Sequence, residues 1–313
     1  MNAIDSINHI LSQKQLITDG GLETSLIFKK GIDLPYFAAF DLLKNEQGKQ
    51  TLLEYYQDYL NLAKKYESGF ILESATWRAS ADWGEKLGYT ADQLDKANRE
   101  AIQLLQRLKN QNLELHDCCV ISGCIGPRGD GYAIAETMTI AQAQQYHQVQ
   151  IDSLKRAGVD MVSAFTMNYV EEALGIVYAA KHAKIPVVIS FTVETNGCLP
   201  SGDSLISAIE TVDRATNATP LYYMINCAHP THFSTTLSDE AVWLKRIRGI
   251  RANASSCSHA ELDEATELDE GDAVALGLQY KQLQLLLPSL RVFGGCCGTD
   301  HKHIELICQH CLN

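Results

Sequence analysis

Two adjacent cysteines, Cys296 and Cys297, stand among glycines in the run Phe293-Gly294-Gly295-Cys296-Cys297-Gly298-Thr299. Consecutive residues of a regular strand point to opposite faces, so neighbouring thiols do not ordinarily serve one ion. The flanking glycines are expected to release the backbone from the usual φ/ψ limits and let both sulfurs turn inward at a strand end. Two thiolates aimed at one point suit a soft metal, above all zinc. Such a site needs further ligands. The segment Leu221 to Asn226, followed directly by Cys227, offers a third thiol at the end of another apolar run.

The elements that would position these thiols are legible as a repeat. Short β-branched segments begin at Leu16-Ile17-Thr18-Asp19 and recur at Phe70-Ile71-Leu72, Cys118 to Ser122, Val159 to Ala164 and Pro186 to Val193. Leu221 to Asn226, Gly249 to Asn253 and Arg291 to Phe293 complete a set of eight. Between them run helical patterns, such as Thr51 to Ser68, Ala91 to Lys109 and Ala141 to Ala157, the last closed by Gly158. Eight strands alternating with helices predict a single-domain α/β fold, a (β/α)8 TIM barrel spanning residues 1–313. A doubly wound open sheet is the alternative. It would carry a glycine-rich phosphate loop after its first strand, which Asp19-Gly20-Gly21-Leu22-Glu23 matches poorly.

In such a barrel the active site forms at the C-terminal ends of the strands. Asp19-Gly20-Gly21, Asn226-Cys227, Asn253 and Cys296-Cys297 all fall there. Strands six and eight flank strand seven, so Cys227 is expected to face the Cys296-Cys297 pair across the mouth. Three thiolates and an open fourth position are what a catalytic zinc requires.

Composition narrows the rest. The net charge of −12 argues against nucleic acid and anionic membrane as partners, because both demand a basic surface. No apolar run approaches the roughly 20 residues of a membrane span, and Met1 to Ser12 lacks the basic start of a signal peptide. Ten cysteines in such a chain read as free thiols and ligands in the cytoplasm rather than as a disulfide framework.

Other candidates are assigned to packing. Cys118-Cys119 opens a strand without flanking glycines, and Cys124, Cys198, Cys257, Cys308 and Cys311 lack a comparable setting. His229 and His232 follow Cys227, and His301 and His303 follow Cys297, so a mixed Cys/His site can be drawn. Asp300, however, reads as the cap of a last helix to Cys311, which favours a structural role for those histidines. Trp77 and Tyr169, near strand ends, are candidates to wall a pocket.

With these residues in hand, the chain resembles the homocysteine S-methyltransferase family nearly from end to end. The resemblance is carried by Asp19-Gly20-Gly21-Leu22-Glu23-Thr24, Ser122-Gly123-Cys124-Ile125-Gly126-Pro127, Ile225-Asn226-Cys227 and Gly294-Gly295-Cys296-Cys297-Gly298, with Leu199-Pro200-Ser201-Gly202-Asp203 a weaker sign. It implies a zinc barrel in which Cys227, Cys296 and Cys297 hold the metal, a small-molecule thiol takes the fourth place, and a sulfonium or ammonium donor supplies the methyl group. Homocysteine, giving methionine, is the first candidate thiol. The resemblance further implies that Asp19 and the Gly20-Gly21 backbone help hold the amino acid; Asn226 and Asn253, from their places at strand ends, are further substrate-binding candidates.

One position departs from the family. Where it carries a Glu that binds the homocysteine amino group, this chain has Phe165, within Ala164-Phe165-Thr166-Met167-Asn168. A buried ammonium needs a partner, and Glu73, near the end of strand two, is the expected substitute. The alternatives are the same zinc chemistry on a different small thiol or selenol, or a zinc- or redox-sensing barrel without transferase activity. The methyl donor and the oligomeric state are not legible.

Overall fold

The computed structural model describes residues 3–134, 136–237 and 242–312; residues 1 and 2, at the start of the expected domain, and 313, at its end, lie outside that set. Eight parallel strands pair in sequence order and close on themselves: β1 (Leu16–Ile17), β2 (Gly69–Glu73), β3 (Cys119–Ile125), β4 (Met161–Met167), β5 (Val187–Phe191), β6 (Tyr223–Asn226), β7 (Ile247–Ala252) and β8 (Val292–Gly295). Closure is made where Leu16 of β1 pairs with Val292 of β8. The chain is therefore a single-domain (β/α)8 barrel, as the strand count predicts.

The long helices are α1 (Ala3–Gln13), α2 (Glu46–Lys65), α3 (Ala91–Gln111), α4 (Ile140–Ala157), α5 (Val170–Ala183), α6 (Leu205–Thr216), α7 (Ala273–Leu286) and α8 (His301–Cys311). Local sequence explains their ends. Thr90 and Thr139 form capping boxes with Gln93 and Gln142, Gly158 closes α4 in the left-handed region, and Asp300 caps α8 through the amides of Lys302 and His303. Between β6 and β7 the described residues form only short turns, Pro230–Phe233, Ser234–Leu237 and Val242–Arg246. Among the described residues no helix is long and apolar enough to cross a membrane.

Two apolar cores follow from the strand period of two. Alternate residues face the helices, whereas Leu16, Ile71, Val120, Met161, Val188, Met224 and Val292 meet inside the barrel, where Ile7 and Leu11 of α1 pack against them. One step further along each strand the inward positions turn polar: Glu73, Ser122, Ser163, Ser190, Asn226 and Arg251 are all buried. Ser122 and Ser163 hydrogen-bond at 2.8 Å, and Ser190 donates to Asn226 at 2.6 Å. This polar layer is the floor on which a site can be built.

Outside the barrel, α4 and α5 pack closely because Gly175 presents no side chain. A Cβ there would collide with Ala143 and lie 2.6 Å from the Gln144 backbone nitrogen. Alanine at an ordinary helix position gains up to about 1 kcal/mol over glycine. Here overpacking against backbone, typically about 1–3 kcal/mol, outweighs that gain. Gly175→Ala is expected to lower the urea midpoint; a midpoint equal to or above wild type would show that the helices can separate freely.

Candidate functional site

Strand alternation places Asn226 inward, so Cys227 should face away from the barrel axis. Its backbone reverses the expectation with a left-handed φ of 53°, a conformation that costs a non-glycine residue roughly 1–3 kcal/mol and collects at functional sites. The peptide is pinned on all sides. Cys227 N donates to Arg251 O, while Cys227 O accepts from His259 Nε2 at 2.7 Å and Asn253 Nδ2 at 3.1 Å. Facing it, Thr166 is also left-handed at φ 62°, at an irregularity in the β4–β5 register. Asn226 holds that turn by accepting from Thr166 N and donating to Thr166 Oγ1, both at 2.9 Å.

The glycines before the cysteine pair act differently from the sequence expectation. Neither Gly294 nor Gly295 takes a positive φ; Gly298 does, at 80°. What Gly294 and Gly295 supply is space, since a Cβ would collide with Thr18 Oγ1 at the first and with Thr299 Oγ1 at the second. Threonines from the β1 end and the turn after Cys297 can therefore close over the strand. Cys296 N then bonds Ala252 O at 2.8 Å, and Cys297 O accepts from Ala254 N at 3.0 Å.

The outcome is that the ligand atoms of Cys227, Cys296 and Cys297 lie within 4.8 Å of one another. The Cys227 and Cys296 sulfurs stand in disulfide contact, with Cα atoms 5.4 Å apart. Zn–S bonds of about 2.3 Å in a tetrahedron require sulfurs just under roughly 4 Å apart, so the three thiols, once reduced, are a fitting donor set. Thr166 Oγ1 donates toward Cys227 Sγ at 3.8 Å, and Tyr132 Oη lies 3.5 Å from Cys297 Sγ. Burial holds the Cys297 thiol above its ordinary range, which is the circumstance a coordinating cation reverses.

These sulfurs form one wall of a cavity of about 170 Å³ that opens at the C-terminal ends of the strands. Asp19, Gly20, Gly21, Glu73 and Asn226 also line it, and Asn253 does not. Several are already engaged. Asp19 Oδ1 lies 2.9 Å from Arg251 Nη2, and Tyr55 donates to Asp19 Oδ2 at 3.0 Å. Gly20 O accepts from Arg251, and Gly21 N donates to Thr299 O. Both polar ends of the Asn226 amide are used on Thr166 and Ser190. Asn253 acts behind Cys227, fixing its carbonyl.

Glu73 differs. Its side chain is buried and Oε2 has no hydrogen-bond partner. Desolvation raises its carboxyl to about 7, against the opposing charge of Arg251 and the hydroxyls of Ser122 and Ser163. Arg251 itself stays charged. Burial alone would lower it, but Asp19 and Glu73 more than offset that.

Sequence reasoning missed Arg251, Arg78, Glu23 and Tyr132, all of which line the cavity. Arg251 had a detectable signal: it lies two residues before Asn253 on the same strand face, a charge inside an otherwise apolar segment. Cys124, assigned to packing, also faces the cavity, and Trp77 walls it as expected. Tyr169 does not line it; its hydroxyl accepts from Met138 N. The histidines take structural roles: His229 caps the Pro230–Phe233 turn, His232 bonds Ser256 O, and His303 pairs with Asp300. Phe165 lies in the cavity with the Arg251 guanidinium 5.0 Å from its ring centre.

Comparison with known proteins follows the same lines. A family model described as homocysteine S-methyltransferase matches residues 16–311. Betaine–homocysteine S-methyltransferase 1 of Bos taurus is 24% identical over 259 residues, covering 76% of this chain but 60% of the relative. The chain thus spans somewhat under two thirds of that protein. Among solved structures, the metallated homocysteine methyltransferase MmuM of Escherichia coli superposes with a TM-score of 0.76 at 15% identity, covering 97% of this chain and 99% of that one. Its oxidized form gives 0.76 at 17% identity, covering 98% and 99%. At these identities the structural likeness speaks for the fold.

Glu73 sets a pH signature. Its folded carboxyl, near 7, binds a proton that the unfolded chain releases near 4.5, so its contribution to stability is complete below the lower value and is lost as pH rises through about 7. Glu23, raised to about 7 chiefly by burial, acts in the same sense. Glu73→Gln is expected to reduce, without abolishing, the decline in melting temperature between pH 4.5 and 7. An unchanged slope would show that Glu73 does not hold the proton.

Proposed function

Since the chain belongs to the homocysteine S-methyltransferase family, we propose that it is a zinc-dependent methyltransferase carrying a methyl group from an onium donor to the sulfur of a small thiol. Homocysteine is the first candidate. The observation that carries this reading is the convergence of three cysteine sulfurs from the ends of β6 and β8 on the wall of a buried cavity.

Cys227, Cys296 and Cys297 would hold the metal. An ordinary thiol, with a pKa of about 8.5, is mostly protonated at neutral pH; zinc bound to this set would supply the substrate as a thiolate. The chain's own residues do the rest. Thr166 and Tyr132 direct hydroxyls at two of the three sulfurs, which fixes their orientation and tempers the negative charge they gather. Trp77, Phe165 and Tyr132 wall the cavity and keep water from the reacting atoms. In the transfer, a sulfur lone pair forms the new S–CH3 bond as the donor's onium–CH3 bond breaks. The bonding pair stays on the donor heteroatom, which leaves as a neutral thioether or tertiary amine. Alignment of sulfur, methyl and leaving atom accounts for much of the rate.

Substrate recognition turns on Glu73. Asp19 is ion-paired with Arg251 and bonded by Tyr55, whereas Glu73 keeps one buried oxygen, Oε2, without a hydrogen bond, and a substrate ammonium would meet that need. A second reading draws on Phe165 and the prior commitment of Asp19: the same chemistry on a thiol or selenol without an amino group.

Two measurements decide. Under reducing conditions, Cys296→Ala or Cys297→Ser is expected to lose both bound zinc and methyl transfer; full activity in a metal-free variant would overturn the mechanism, whereas reversible, oxidant-driven zinc loss with no methyl transfer to any thiol would favour a barrel whose thiols only sense metal or oxidant. Glu73→Gln should lower kcat/KM for homocysteine roughly 10- to 100-fold, as expected for a lost charged hydrogen bond, with little change for the des-amino analogue. Equal losses for both thiols would remove Glu73 from the amino-group site, and a wild-type preference for the des-amino analogue would establish the second reading.

A further inference from the structure

Behind the cysteine cluster, three strand-end segments meet on one imidazole. His259 opens the short helix His259–Glu264, whose start is set by a capping box between Ser258 and Glu261. The residue is 4% exposed, and its Nε2 donates to Cys227 O at 2.7 Å. Nδ1, on the other side of the ring, lies 3.1 Å from Oε1 of Glu194, in the segment after β5. Tyr132, from the segment after β3, covers the ring face, with ring centres 4.0 Å apart and planes 10° from parallel.

Each contact removes one freedom of the imidazole. The Glu194 carboxylate decides which ring nitrogen turns toward Cys227, the Tyr132 ring fixes the plane, and the helix start fixes the Cβ. Glu194 is held in turn, since its amide donates to Cys198 O and its carbonyl accepts from Gly197 N, both at 2.8 Å. Satisfying the Cys227 carbonyl does not require this apparatus. Asn253 Nδ2 already donates to the same oxygen at 3.1 Å.

What the apparatus controls is the side of the strand on which Cys227 Sγ lies. Alternation after the inward Asn226 would send it outward, and the left-handed φ of 53° brings it in. A peptide free to relax toward ordinary strand dihedrals would withdraw one of the three sulfurs that lie within 4.8 Å of one another. The same stack reaches a second sulfur, because Tyr132 Oη stands 3.5 Å from Cys297 Sγ. His259 does not line the cavity, so it acts through these neighbours and not on a substrate.

Resting on the proposed zinc site, we infer that His259, oriented by Glu194 and Tyr132, is a positioning residue for the metal. It holds Cys227 Sγ in the donor set and so sets the affinity for zinc, as partners behind a ligand do elsewhere.

The test measures zinc dissociation constants of the reduced protein by competition with a chromophoric chelator, beside melting temperatures of the metal-free forms. His259→Phe keeps a ring against Tyr132 but has no donor, and should bind zinc roughly 10- to 100-fold more weakly. His259→Gln retains an amide N–H for Cys227 O and should recover part of that loss. Glu194→Ala removes a side chain that is 34% exposed, so it tests the same chain of contacts even where His259→Phe does not fold. It should fall between wild type and His259→Phe, and add no further loss in the His259→Phe background, where no ring nitrogen is left to orient.

A lower metal-free melting temperature with wild-type zinc affinity in Glu194→Ala and His259→Phe would make His259 a structural brace and overturn the assignment. Additive losses in the double variant would remove Glu194 from it. The two proposals fail separately. Zinc affinity that depends on His259, without methylation of any thiol, refutes the transfer alone; a zinc-dependent wild-type methyltransferase whose variants bind zinc equally well refutes the role of His259 alone.

Discussion

A single arginine closes this barrel at its weakest seam. β1 is two residues long, and its pairing with β8 is correspondingly brief. Arg251, from β7, spans the gap: Nε donates to Gly295 O at the end of β8, and Nη2 reaches both Gly20 O and the Asp19 carboxylate after β1. Buried pairs of this kind are not efficient stabilisers against an apolar substitute, yet breaking one costs roughly 3–5 kcal/mol because the survivor is left charged in a low dielectric. Its retention here is tied to placement. Three strands are locked at the height where the cysteines emerge, and Asp19 is committed before any ligand arrives.

That commitment shapes the chemistry above it. With Asp19 ion-paired to Arg251, the floor carboxylate left with an unbonded oxygen is Glu73, at the end of β2. Phe165, against the Arg251 guanidinium, fits the same rearrangement: an acid on β4 would compete with Asp19 and Glu73 for one cation. The inner wall is instead strained into shape. Thr166 and Cys227 both adopt left-handed backbone, and Asn226, Asn253 and His259 spend their hydrogen bonds holding those turns. Strain of this sort persists only where neighbours over-determine it; Asn226 does so at Thr166, and Asn253 and His259 do so at Cys227.

Much of this was legible in the chain. Eight β-branched segments separated by helical patterns specify a closed parallel barrel, because parallel strands need crossovers and eight of them suffice to close. The cysteine cluster follows from position at strand ends, and the capping of α8 by Asp300 from a local side-chain to backbone bond. Of the polar inner layer, Glu73 and Asn226 were legible as strand-end polar groups, whereas Ser122, Ser163, Ser190 and Arg251 were not singled out. Less legible were contacts between residues far apart in the chain. Arg78 joins a loop after β2 to one after β3, Tyr132 reaches Cys297 across 165 residues, and Arg251 reaches Gly20 across 231.

The sequence by itself therefore determined the architecture and the identity of the thiols, because hydrophobic period, caps and strand-end position are local quantities. Only the tertiary structure decided how those groups are partnered. It showed that Cys227 turns inward through its own left-handed backbone, that Gly294 and Gly295 serve by absence of bulk rather than by unusual dihedrals, and that Asp19 is ion-paired with Arg251 while one buried oxygen of Glu73 has no hydrogen bond. The physical reason is that burial and charge compensation are set by what lies across the barrel, and neither distance nor dielectric can be read along the chain.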